Sequence, residues 1–304
     1  MKKQTLSIVA AILGSSVASL QAQVIISDNY EVNNSANYAV VNDGTPDGTV
    51  NFWYDYIAAG IPLAPHSTAG DLYGMRLTAN DAAGVVDSWT VFNNTVVNAL
   101  HYKLSVDIYM GFSGSGTTEY GQVGVGGNGT TFNSIFTPIS GSGSFLAITG
   151  DGGSASDYRW YLDSANGGPT TVPGTDPSYL AGSANGSASL YQTLFPAPPS
   201  TVAGSPGNIW TTMEIEVNNG TITYSFDNGS GTTAVIQGTY TGSLDGLVSL
   251  GINDPFTSVD PGTVFTLYDN LKVEILPVPE PTTCALSVLG AVGLFLARRR
   301  IQKA

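Results

Sequence analysis

Asp269 occupies a position where a strand would bury it. Within residues 265–275 the odd positions carry Phe265, Leu267, Leu271, Val273 and Ile275, and Asp269 falls in that row. Successive side chains of a strand point to opposite faces, so a strand here brings a carboxylate onto an apolar face. An unpaired carboxylate in such a place is costly. It calls for a bound cation, a set of backbone N–H groups, or a bulge that turns it outward. Two further acids, Glu214 and Glu216, alternate with Ile215 and Val217. Paired carboxylates about 5.5 Å apart perform glycoside hydrolysis with retention, although two solvated glutamates on the wet face of a hairpin give the same pattern. The third group is aromatic. Trp53 clusters with Tyr54 and Tyr56, and Trp160 adjoins Tyr161, while Trp89 and Trp210 stand apart. Trp53 and Trp160 are candidates for a platform on which sugar rings stack, or else they are core residues, where large aromatics usually go.

Other chemistries find no residues. His66 and His101 are the only histidines, one on an expected loop and one before an expected strand, and they make neither a zinc site nor a triad by sequence. The chain has no Gly-x-Ser-x-Gly elbow and no Gly-Lys-Ser/Thr loop, and Gly124-x-Gly126-Gly127 lacks a following helix.

The elements that must position these residues are strands. In Met213–Phe226 the apolar residues Ile215, Val217, Ile222, Tyr224 and Phe226 alternate with polar ones about Asn219-Gly220, which predicts a β-hairpin. Lys103–Phe112 alternates as well, and further strands are predicted over 85–92, 122–126, 145–149, 158–162, 234–240, 247–252 and 264–275. No segment of 24–276 has a convincing helical period. Many short strands with Gly/Asn turns predict an all-β, antiparallel sandwich or barrel. Residues 164–206, rich in Gly, Pro, Ser and Asn, read as a long loop or insertion with one short element near Ser189–Leu194.

Charge narrows the partners. Six of the ten basic residues lie at the two ends, and only Arg76, Lys103, Arg159 and Lys272 remain in the body against every acid but Glu280. Phosphate binding needs clustered Lys and Arg, so nucleic acid is excluded as a partner. The single cysteine, Cys284, cannot form an intrachain disulfide, so apolar burial must hold the body together.

The two ends read as addresses. Lys2 and Lys3 precede a mostly apolar run from Thr5 to Leu20, with Ala22 at the expected cleavage point, so residues 1–22 are expected to be a secretory signal peptide removed by signal peptidase. At the other end, Pro279-Glu280-Pro281 is followed by an apolar run and by Arg298, Arg299 and Arg300. The 16 residues Thr282–Ala297 make a helix of roughly 24 Å, just able to span a bilayer if the membrane thins. The basic cluster would stop transfer on the cytoplasmic side. This order of parts over 277–304 resembles the PEP-CTERM sorting signal of Gram-negative exopolysaccharide producers. The resemblance implies that an exosortase recognises Pro279, Glu280 and Pro281, removes the helix and passes the protein to the surface.

The body, 23–276, resembles the concanavalin-like jelly rolls, LamG-type domains and carbohydrate-binding modules. The resemblance rests on Tyr268-Asp269-Asn270-Leu271-Lys272-Val273 and on Asp28-Asn29-Tyr30-Glu31-Val32. It implies a jelly-roll sandwich whose first and last strands lie side by side. It also implies a structural Ca²⁺ held by Asp269 with Glu31 or Asp28, an ion that takes oxygen ligands. Jelly-roll glucanases show Glu-x-Asp-x-Glu, whereas Glu214-Ile215-Glu216-Val217-Asn218 replaces the central Asp by Glu and the last acid by Asn. The expected protein is therefore exported, transiently held in the inner membrane, and placed on the cell surface or in the extracellular matrix. It would be non-catalytic, with polysaccharide as its expected ligand. A secreted glycosidase-like enzyme and a purely structural or adhesive protein are the alternatives.

Overall fold

Alternation decides the architecture. In the computed structural model, residues 21–277 are described, apart from 113–117, 137, 153, 165–167, 242, 257–258 and 260–261. Residues 1–20 of the expected signal peptide, the Pro-Glu-Pro motif, the helix at 282–297 and the basic cluster lie outside the described residues. Among the described residues no helix is long and apolar enough to cross a membrane.

Residues Gln23–Ile275 form one compact unit of antiparallel strands. They are β1 (Gln23–Asp28), β2 (Tyr38–Asn42), β3 (Val50–Asp55), β4 (Tyr73–Leu77), β5 (Asp87–Asn93), β6 (His101–Gly111), β7 (Tyr120–Gly127) and β8 (Ser144–Thr149). After these come β9 (Tyr158–Ser164), β10 (Gly168–Thr171), β11 (Trp210–Asn218), β12 (Thr221–Asp227), β13 (Thr232–Thr239), β14 (Leu247–Asp254) and β15 (Phe265–Ile275). An eight-stranded sheet runs β13-β12-β11-β6-β15-β4-β3, with β1 also paired to β15. A seven-stranded sheet runs β10-β9-β8-β7-β14-β5-β2. The result is a two-sheet jelly-roll sandwich. The first and last strands pair antiparallel, Gln23 opposite Ile275 and Asp28 opposite Leu271.

One residue in two faces the opposite sheet. Leu104, Val106 and Ile108 of β6, Met213, Ile215 and Val217 of β11, and Ile222, Tyr224 and Phe226 of β12 enter the core with Val123, Leu146, Leu250 and Ile252 of the other sheet. Each such side chain contributes about 1.5–3 kcal/mol on burial. The β11–β12 hairpin turns on Asn219 and Gly220 at φ of 45° and 93°, the left-handed pair a two-residue turn requires.

Two regions differ in detail from expectation. Within residues 164–206 the short element expected near Ser189–Leu194 is a helical turn, while Gly168–Thr171 adds β10 to the seven-stranded sheet and Tyr179, Tyr191, Leu194 and Phe195 are core residues. Their aromatic anchors are spaced without a period, so no pattern announced them. The apolar row of β15 is also not one face. The register shifts between Asp269 and Lys272, where Asn270 has a φ of 52°. Leu271 and Val273 point into the inter-sheet core, while Leu267 packs with Tyr56, Ile61, Ala64 and Tyr109 in a separate cluster. Asp269 follows Leu267, on the outer face of the eight-stranded sheet.

Candidate functional site

The outer face is nevertheless dry around Asp269, because the connection from β3 to β4 folds back over it. This strap, residues 56–72, covers β6, β11 and β15. Asp269 stands directly opposite Asp107 of β6, and both are fully buried. Two carboxylates placed so repel each other, and the strap supplies the donors that hold them. Asp269 Oδ2 accepts the Tyr56 hydroxyl at 3.0 Å and the Ser67 hydroxyl at 2.8 Å, and Oδ1 accepts the Asn270 backbone N–H at 2.7 Å. Asp107 Oδ1 accepts Thr212 Oγ1 at 2.6 Å and lies 2.9 Å from His66 Nδ1. Asp107 Oδ2 accepts the His66 backbone N–H and the Asn270 side-chain amide, both at 3.0 Å. Asn270 therefore bridges the pair, backbone to one acid and side chain to the other. Burial, with the Asp107 charge adding to it, pushes Asp269 up to about 7.

The chemistry available here is limited by what each group already holds. A carboxylate only accepts, so the contact with Asp107 places a ring proton on His66 Nδ1. A buried Asp orienting a His, whose side chain is 62% exposed, is the supporting half of a hydrolytic triad. The nucleophile is not in place, because Ser67 Oγ donates to Asp269 and receives the Asn270 amide instead of meeting the imidazole. Sequence reading left His66 isolated. Nothing in the chain foretold that the strap would lay it on Asp107, 41 residues away.

Beside this latch, the two acids with the strap donors that hold them, lies a row of rings. Trp210 of β11 and Tyr109 of β6 are register partners with centroids 5.5 Å apart, and Phe265 of β15 stacks on Tyr109 at 6.1 Å. The Phe265 ring lies over Gly111, where a Cβ would come within 2.3 Å of it. Trp210 and Phe265 are half-buried.

The other predicted site residues separate. Asp28 is buried and accepts the Tyr30 N–H, the Asn34 amide and the Tyr38 hydroxyl. Glu31 accepts the backbone N–H groups of Leu72 and Tyr73 at 2.7 and 2.9 Å, pinning the end of the strap. Neither joins Asp269 in a donor set, and among the described residues no group of three or more His, Cys, Asp or Glu is placed to hold a metal ion. The residues present do not fit the Ca²⁺ site expected from Asp269, Glu31 and Asp28, because each carboxylate is satisfied by N–H and O–H donors. Trp160 is 2% exposed, edge-on to Tyr224 with its indole N–H on Ser144, so it offers no face to a sugar. Trp53 is 48% exposed and packs on Tyr73 at 4.5 Å. Glu214 pairs with Lys103 Nζ at 3.0 Å, and Glu216 lies 3.0 Å from His101 Nε2.

A second opposed pair sits on the seven-stranded sheet. Asp87 of β5 faces Asp254 of β14, both fully buried. Asn80, at φ 61°, again bridges, its amide on Asp254 at 2.6 Å and its backbone N–H on Asp87 at 3.4 Å. Burial pushes Asp254 up to about 6 and raises Asp87 as well.

Residues 277–300 match the PEP-CTERM protein-sorting motif. The motif indicates export with membrane-associated sorting to the cell surface and implies processing by an exosortase. No curated protein matches the chain. The body is similar to the VIP36 exoplasmic/lumenal domain in its Ca²⁺/Man3GlcNAc-bound form, at 9% identity and TM-score 0.46 over 81% of this chain and 86% of that one. It is similar to a galectin-like protein of unknown function from Bacillus subtilis, at 8% identity and TM-score 0.47 over 84% and 100%. It is also similar to the carbohydrate esterase vb_24B_21 from the Shiga toxin-encoding bacteriophage phi24B, at 10% and 0.43 over 84% and 100%. Likeness this distant assigns neither ligand nor reaction. Fold and motif together define the class: an exported, surface-sorted protein with a β-sandwich body.

Proposed function

We propose that this protein acts at the cell surface or in the extracellular matrix as a non-catalytic binder of polysaccharide. Trp53 carries the reading. It lies on β3, at the end of the eight-stranded sheet's order, with nearly half its surface in solvent and Tyr73 behind it. A rigid, backed ring of this kind presents an apolar face to the C–H face of a sugar at little entropic cost.

The charge favours neutral chains. Each of the four body cations is already engaged: Lys103 with Glu214, Lys272 with Glu274, Arg76 over the Tyr54 and Phe265 rings, and Arg159 over Tyr120. A uronic polymer would meet a strongly acidic surface with few cations.

Affinity electrophoresis of the full-length protein in laminarin, dextran and soluble starch, with alginate as the acidic comparison, tests this. Retention by a neutral gel, weakened about tenfold in Trp53→Ala, is expected. Equal mobility of both proteins in every gel would sink the reading. Release of reducing sugar that disappears in Glu214→Gln/Glu216→Gln would replace it with the glycosidase alternative.

A further inference from the structure

We propose that the row Trp210–Tyr109–Phe265 is a second polysaccharide-binding face, and that residues 57–66 of the strap are its lid. The inference rests on the reading of the protein as a glycan binder and adds a site to it.

The row is not needed by the core. Inter-sheet packing uses the opposite face of β6, β11 and β15, through Ile108, Met213 and Tyr268. Three neighbouring strands nonetheless turn aromatic rings outward in one line. Such a line suits an extended chain whose faces are apolar and whose edges carry hydroxyls. The covering atoms resemble such a ligand in kind. The Trp210 indole N–H donates to the Pro62 carbonyl at 2.6 Å, an acceptor position that a sugar oxygen could take. Only Ile61 and Ala64 of the lid are buried against the rings, while residues 57–60, 62–63 and 65–66 are exposed, including Ile57 and Leu63.

The lid is also lightly tied. Its backbone bonds Gly60→Ile57 and Ile61→Tyr56 are local. Its attachments to the sheets are few: the Pro62 carbonyl, the Ala58 N–H on Asp55 at the end of β3, the two His66 contacts on Asp107, and Thr212 Oγ1 at 3.4 Å from His66 Nδ1. Segments held by few buried apolar groups and few backbone bonds open at low cost. A ligand that gains the rings can offset that cost, and a variant that is already open binds more tightly.

Hydrogen exchange and laminarin, dextran and starch binding of the full-length protein test the proposal together. Added polysaccharide is expected to speed exchange in 57–66. Trp210→Ala is expected to weaken binding about tenfold. Trp210→Phe keeps a ring but releases Pro62, so faster exchange in 57–66 and binding about threefold tighter are expected, and this variant decides the matter if Trp210→Ala fails to fold. Unchanged or slower exchange on binding overturns the lid. Binding lost in Trp53→Ala but intact in Trp210→Ala overturns this face and leaves the Trp53 reading standing. Failure of every protein, wild type included, to bind any of the three polymers overturns both.

Discussion

The two outer faces of the sandwich are covered in the same way and fastened by different chemistry. Over the eight-stranded sheet, strap 56–72 is held by Asp107 and Asp269, acids that repel each other and need the strap's donors. Over the seven-stranded sheet, the connection from β7 to β8 does the covering, with neutral groups. Asn133 donates its N–H to Thr90 Oγ1 and its carbonyl accepts the Ser88 hydroxyl, while Ile135 donates its N–H to Asn253 Oδ1 and its carbonyl accepts the Tyr161 hydroxyl. Beneath it, Tyr120, Phe145 and Tyr161 are sealed completely. Under the other strap, Trp210 and Phe265 stay half-exposed. Neutral hydrogen bonds inserted through the backbone make a permanent cover. Side-chain contacts to a strained pair of acids make one whose hold depends on protons.

The largest effect expected from this difference is a dependence on pH. Asp269 sits at about 7 in the folded protein, against about 3.9 for an unperturbed Asp. Between those values the folded state holds more protons than the unfolded one, so stability falls as pH rises through the window. The whole penalty, on the order of 3–4 kcal/mol, is present above pH 7 and absent below about 4. The groups facing it are Asp107 of β6, Asn270 of β15 and Tyr56 and Ser67 of the strap, with Tyr30 close enough to feel its charge. Asp254 acts in the same direction. The expected result is a higher melting temperature near pH 5 than near pH 8, with the difference reduced but not abolished in Asp269→Asn. A stability that rises steadily from pH 5 to 8 would break the comparison, since both straps would then be equally indifferent to the acids.

Next in size is Asp107→Ala. It removes the acceptor of the Thr212 hydroxyl and of both His66 donors and one of the two acceptors of the Asn270 amide, and it relieves Asp269 of its opposed charge. Removing one member of a buried charged network costs about 3–5 kcal/mol, and the relief of Asp269 returns part of it. A net loss of about 2–3 kcal/mol in chemical denaturation is expected, with faster hydrogen exchange confined to the strap. Protection lost evenly over both sheets would mean that the latch supports the whole sandwich instead.

Much of this was legible beforehand, and the limits were physical. Alternation found β6, β11, β12, β14 and β15, because a half-buried strand writes its period into its residues. It passed over β2, β3 and β4, where short strands interrupted by a register shift between Asn51 and Tyr54 break the rhythm. Asp269 was recognisable as a buried acid. Its surroundings were not, because a one-residue bulge at Asn270 reverses the face, and because its partners Tyr56 and Ser67 are brought in by tertiary folding from more than 200 residues away. The Asn270 bridge had no signal in one sequence, although its repetition at Asn80 shows it to be a regular device for seating two opposed acids. Trp160 and Trp53 looked alike as residues and differ only in which face their strands present.

The smallest expected effect sharpens the comparison from the neutral side. Thr90→Ala removes the acceptor for the Asn133 N–H, bonded at 2.8 Å, and leaves a buried donor without its partner. The loss should be about 1 kcal/mol. Because no ionisable group takes part in that bond, the difference from wild type should be the same at pH 5 and pH 8, and exchange should quicken near 133–135 alone. A Thr90→Ala effect that doubled across that range would tie the second strap to Asp87, which shares β5 with Thr90, and to its partner Asp254 of β14. The two covers would then share one proton-dependent logic, and the division between a sealed face and an opening one would have to rest on the aromatic exposure alone.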